Sequence, residues 1–193
     1  MGAMRSFFVG RGLGLRPISI LRNTMSKNTR FLTHAAVIAA LYAVLTHLQN
    51  VLLPGSATWA IQMRLSEALC VLSFFTPAAI PGLTVGCLVF NITYAAALPL
   101  DFLVGSLATL LAAGCMWLTR HVTVKGYPLL GMAMPALFNA LLVGWELTVY
   151  IGGGFFMNAL YVALGELAVL LTFGTVLFYA VKKRHLDTTV FGA

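Results

Sequence analysis

Apolar stretches near Phe31–Leu53, Ser66–Ala79, Pro81–Leu98, Phe102–Leu118, Leu129–Val149 and Phe156–Val181 make up most of the chain, and short polar or Pro- and Gly-bearing segments separate them. A hydrocarbon core roughly 30 Å thick asks for about 20 apolar residues per helix, and most of these stretches run close to that length. Lipid provides no partners for backbone N–H and C=O groups, so only helices or closed barrels cross it. Barrel strands would show about ten-residue blocks of alternating apolar and polar residues, and the chain has none. The pattern predicts an all-α integral membrane protein, a bundle of six transmembrane helices.

The basic residues orient it. Lys27 and Arg30 precede the first stretch, Arg120, His121 and Lys125 follow the fourth, and Lys182, Lys183, Arg184 and His185 follow the sixth. Six crossings put all three groups on one side, which the positive-inside rule makes cytoplasmic. Both termini are then cytoplasmic, in a multi-pass protein of the cell membrane. The net charge of +7 follows from this topology, so the lipid bilayer is a partner and nucleic acid is not.

Residues 1–24 carry four arginines and no acid, a composition close to that of a transit peptide. Met25, followed by Ser-Lys-Asn-Thr-Arg, reads as a natural start, which makes 1–24 an upstream extension, 25–185 the membrane domain and 186–193 a cytoplasmic tail. Pro54 to Trp59 has turn chemistry, suited either to capping a pocket or to an interfacial turn. Pro77 and Pro81 bracket a tight connection, and Gly152 to Gly154 form a flexible turn at the predicted outer face.

Charge inside the spans is where the chemistry lies. Of five acidic residues, four fall within the apolar region: Glu67, Asp101, Glu146 and Glu166, with Arg64 three positions before the first. An ionisable group at the bilayer centre costs roughly 2.5–3.5 kcal/mol on insertion scales, so such groups mark cavities and ligand paths. Arg64, Glu67, Asp101 and Glu146 all map near the outer ends of their helices, with Glu166 deeper. Asp101 also suits a helix N-cap, and Arg64 and Glu67 an i, i+3 pair. Asn139 and Glu146, seven residues apart, share a face. Asn158 and Tyr161 extend the polar set, either as ligand contacts or as interhelical hydrogen bonds.

Ala35, Ala39 and Ala43 recur every fourth residue, with Ala36 and Ala40 in the adjacent row. Small residues at this spacing admit another helix at close range, inside the bundle or from a separate subunit. Cys70, Cys87 and Cys115 are scattered and read as small core residues, and the four histidines never pair at ligand spacing. No phosphate-binding loop and no nucleophile motif occurs, so neither ATP hydrolysis by that route nor catalysis is expected, and no metal or cofactor is called for.

Four strings are specific in combination: Arg64-Leu-Ser-Glu67-Ala-Leu, Phe74-Phe-Thr-Pro-Ala-Ala-Ile-Pro-Gly82, the run from Asp101 to Ala113, and Ala159 to Glu166. Together they resemble the QueT family, the substrate-binding S components of energy-coupling factor (ECF) transporters, over roughly Asn28 to Lys183. The resemblance implies a six-helix subunit that captures a queuosine precursor outside and is energised by a transmembrane coupling subunit and two ATPase subunits. It implies that the alanine rows of the first span dock to the coupling subunit. A 7-deazaguanine base would set its N–H edge on a carboxylate and its carbonyl on Arg64 or an amide, between aromatic walls drawn from Trp59, Trp145 and Tyr161. Cobalamin is the alternative ligand, and a stand-alone proton-coupled transporter working through Glu166 is the alternative mechanism.

Overall fold

The computed structural model describes residues 27–54, 56, 63–95 and 97–191. These form helices throughout, in the order α1 (Lys27–Leu52), a 3-10 helix (Leu65–Phe74), α2 (Ala79–Thr93), α3 (Asp101–Leu118), α4 (Leu129–Met132), α5 (Met134–Tyr150), α6 (Phe155–Val169), a π segment (Leu170–Gly174), α7 (Thr175–Lys183) and a π turn (Asp187–Phe191). The extension expected over residues 1–24 and the turn at Trp59 lie outside the described residues.

Four stretches are long and apolar enough to cross a membrane: α1, α3, α4 with α5, and the continuous run from α6 through α7. The other two expected spans are present as apolar helices but are short. At about 2.0 Å per residue the ten-residue 3-10 helix covers roughly 20 Å, and α2, with fifteen residues, covers roughly 22 Å. Both fall below the thickness of a hydrocarbon core. The described residues therefore give an all-helical protein with four candidate membrane spans and two shorter apolar helices.

The 3-10 helix runs through the middle of the bundle, packed by α1, α2, α3, α6, α7 and the π segment, and eight of its ten residues are buried. Its geometry matters because three residues per turn eclipse positions i and i+3. Arg64, at its N-cap, then stands in one column with Glu67, Cys70 and Ser73. An α-helix would fan these four side chains round its axis.

α1 buries Ala35, Ile38, Tyr42, Thr46 and Gln49, a stripe at i+3 and i+4 spacing, much of it against α2. Glycines make the approach possible. A Cβ on Gly82 would lie 2.7 Å from the Ala35 carbonyl, and one on Gly86 2.7 Å from Tyr42 Cβ and 2.8 Å from the Ala39 carbonyl. This is close crossing of small residues in its usual form. Of the row expected to dock a partner, Ala35 and Ala43 are buried in this chain, and Ala39 is in backbone contact range of Gly86. That row packs inside the bundle, whereas Ala36 and Ala40 are exposed.

Contacts also place the ends. Arg30 donates to the Val190 carbonyl (2.5 Å) and His34 meets Phe191 edge-on, so the start of α1 and the end of the chain lie together. Tyr127, in the connection after α3, pairs with Thr175 (2.6 Å) and packs on Phe178. All three basic groups therefore gather at one end of the bundle. At the opposite end the chain turns at Pro54, at Leu98–Leu100 and at Gly152–Gly153, where both glycines have positive φ.

Candidate functional site

Toward that opposite end a polar seam runs between two apolar clusters. One contains Phe74, Met116, Met132 and Phe178, the other Val104, Val143, Leu147 and Val162. The 3-10 helix, α3, α5 and α6 each send one or two charged or amide groups into the seam, and every one is almost fully buried: Arg64 at 3% exposure, Glu67 at 1%, Asp101 at 3%, Asn139 at 4%, Glu146 and Glu166 at 0%.

Arg64 is the cation of the seam. Its Nη2 is 4.0 Å from Asp101 Oδ1, its Nη1 3.9 Å from Cys87 Sγ, and its guanidinium lies 5.7 Å from the Phe90 ring centroid. Gln49 positions it by holding the chain on both sides: Gln49 Nε2 donates to the Met63 carbonyl (2.5 Å), and the Leu65 N–H donates to Gln49 Oε1 (2.8 Å). Thr46, one turn earlier in α1, bonds Ser66 (2.7 Å). The polar stripe of α1 thus fixes the entry of the 3-10 helix.

Glu67 accepts hydrogen bonds from the Tyr42 hydroxyl and from Cys70 Sγ (3.0 Å). Asp101 does not cap its helix. The N-cap is Leu100, no side chain bonds the free amides there, and Asp101 begins α3 with its carboxylate turned to Arg64. Glu146 lies beside Asp101, and Glu166 lies beside Asn139 and Glu67. Both oxygens of Glu146, both of Glu166 and Oδ1 of Asp101 have no hydrogen-bond partner among the described residues.

The structure thus brings together six of the eight expected contacts, Arg64, Glu67, Asp101, Asn139, Glu146 and Glu166. Asn158 is used elsewhere: its Nδ2 donates to Thr148 Oγ1 and the Gly152 carbonyl, both at 3.0 Å, which closes the glycine turn. Tyr161 is half-buried, one turn from Asn158. Trp145 is 50% exposed. The residues that sequence reasoning missed are neutral: Tyr42, Cys70, Cys87 and Phe90. The three-residue period Arg64, Glu67, Cys70, Ser73 was the available signal for a column. No group of three or more His, Cys, Asp or Glu placed to hold a metal occurs among the described residues.

Four carboxylates around one guanidinium make a site short of cations and N–H donors. Unsatisfied polar atoms are strongly disfavoured in an apolar interior, so these oxygens fit a ligand that brings donors to them. A four-span-or-more helical membrane protein with such an interior has the construction of a small-molecule carrier.

The QueT transporter family model matches residues 32–183, and the chain belongs to that family. It is a multi-pass membrane protein of a transporter family, with the match running from the first turns of α1 to the end of α7. Comparisons with curated proteins and with solved structures returned no match.

Proposed function

We propose that this chain is the substrate-binding subunit of an ATP-driven ECF-type importer in a bacterial plasma membrane, with six crossings and both ends cytoplasmic, and that it captures a 7-deazaguanine queuosine precursor. The observation that carries the reading is the buried seam, in which Glu146 and Glu166 present four unpartnered oxygens beside Arg64, Asp101 and Glu67. A deazaguanine edge places a ring N–H and an exocyclic amine side by side, the donor pair that a carboxylate accepts in bidentate fashion. Its carbonyl accepts from Arg64 or Asn139. An aminomethyl group adds a cation for a second carboxylate. Cobalamin, much larger and without this donor pattern, matches less of the seam.

The collection of the basic groups at one end of the bundle supports an even number of crossings. The docking face for the coupling subunit is the exposed row of Ala36 and Ala40, since the neighbouring row packs on α2. Energy comes from the partner ATPases. Unpartnered buried carboxylates also favour a second reading, a proton-coupled carrier in which Glu166 takes up a proton. Uptake of labelled 7-aminomethyl-7-deazaguanine separates the two. Accumulation only when the chain is coexpressed with a coupling subunit and ATPases supports the importer. Accumulation by the chain alone, abolished by a protonophore, overturns it.

A further inference from the structure

An open cleft of about 570 Å³ lies where α2 ends and α3 begins, lined by Asn91, Tyr94, Leu98, Pro99 and Phe102 among others. The volume lies in the range that takes a small heterocycle. None of the four seam carboxylates lines it. Asn91, 4% exposed, connects the two: it lines the cleft, and its Nδ2 donates to the Asp101 carbonyl (2.8 Å) and lies 3.6 Å from Cys87 Sγ. Cys87 Sγ in turn is 3.9 Å from Arg64 Nη1. Between the cleft and the Arg64 guanidinium therefore stand the Asn91 amide and, behind it, the Cys87 thiol.

Three further observations bear on it. Asn91 Oδ1 is buried without a hydrogen-bond partner among the described residues, although the side chain lines the cleft. Gly105 gives Asn91 its room, since a Cβ there would lie 2.8 Å from Asn91 Nδ2 and 3.8 Å from Arg64 Nη1. A ladder of rings runs beside the amide, with Tyr94 at the cleft stacked on buried Phe90 (5.2 Å, 18°) and Phe90 beneath the Arg64 guanidinium.

We infer that this cleft is the portal of the buried seam and that Asn91 is its gate. The inference rests on the reading of the seam as a substrate site. A flat heteroaromatic amide or amine lies against Tyr94 at the rim, exchanges donors and acceptors with the Asn91 amide, and passes inward as that side chain rotates away from the Asp101 carbonyl. The orphaned Oδ1 is the acceptor that receives an incoming N–H. Asn91 is a gating residue, not a determinant of final affinity.

Cys87 reports on the gate without any substrate. In the full chain carrying Cys70→Ser and Cys115→Ser, the rate at which 2-aminoethyl methanethiosulfonate modifies Cys87 is measured. Asn91→Ala is expected to raise it at least tenfold, and adding Leu98→Trp, which fills the cleft, to return it to the parent's rate. An unchanged rate in Asn91→Ala, or a rise that Leu98→Trp does not suppress, overturns the portal. Should the cysteine background unfold, Leu98→Trp alone in the native chain decides the matter. A plugged portal slows association and dissociation of 7-aminomethyl-7-deazaguanine by the same factor, at least fivefold, and leaves Kd unchanged. A changed Kd at unchanged association rate overturns it. Gated thiol behaviour in a chain that binds none of the bases supports the portal while refuting the assigned ligand.

Discussion

Gly86→Ala separates the packing account of α1 from any account in which its buried alanine row waits for a partner. The added methyl carbon would start 2.7 Å from Tyr42 Cβ and 2.8 Å from the Ala39 carbonyl oxygen. Carbon atoms rest at about 3.5–4.0 Å, so α1 and α2 must part by at least about 0.8 Å. Backbone and a buried Cβ cannot swing aside as a side-chain tip does. Overpacking of this kind costs about 1–3 kcal/mol, or roughly 2–4 °C of Tm per kcal/mol for a chain of this size. Because Tyr42 donates to Glu67, the same displacement loosens the acceptor column and weakens ligand binding. Gly114→Ala is the control, since a Cβ there meets nothing within 4 Å. Thermal unfolding in detergent, read alongside ligand titration, should show both losses for Gly86→Ala and neither for Gly114→Ala. Equal Tm values for the two variants would refute the close α1–α2 contact.

Other expectations follow from the same contacts. Glu67→Gln keeps the fold but removes a charged acceptor, worth about 1.5–3 kcal/mol, and a titration should show at least tenfold weaker binding of the base. Ala39→Trp should misfold, whereas Ala40→Trp on the exposed row should bind ligand normally and fail to copurify with the coupling subunit; normal copurification would remove the docking assignment from that row. Trp145→Ala, half-exposed on α5, should leave affinity within about twofold, measured in the same titration.

Much of the site was legible because membranes make charge conspicuous. Arg64, Glu67, Asp101, Glu146 and Glu166 stand out against an apolar background, and the structure gathers them in one seam. Asn139 was legible from its seven-residue spacing to Glu146. Neutral groups carry no such penalty, so Tyr42, Cys87 and Phe90 looked like ordinary core. Asp101 left two readings open because a carboxylate at a helix start has two uses, capping and ion pairing, and only the position of Arg64 across the interface decides between them. The alanine rows stayed open for a similar reason: Ala35 and Ala36 have the same chemistry, and which row is covered within the chain depends on Gly82 and Gly86 in another helix. The apolar segments were legible in position but not in form. A run such as Leu65–Phe74 reads as a span by hydropathy, whereas its 3-10 winding is set by neighbours on every side.

The central claim is that the buried seam holds a deazaguanine base, and equilibrium titration of the purified full chain tests it most directly, with 7-aminomethyl-7-deazaguanine, 7-cyano-7-deazaguanine, guanine and cobalamin compared side by side. The account predicts one-to-one binding of a deazaguanine, tightest for the aminomethyl base because its cation meets a second carboxylate, and at least tenfold weakening in Glu146→Gln and in Glu166→Gln. Preferential binding of cobalamin, or deazaguanine binding unaffected by both substitutions, would contradict it.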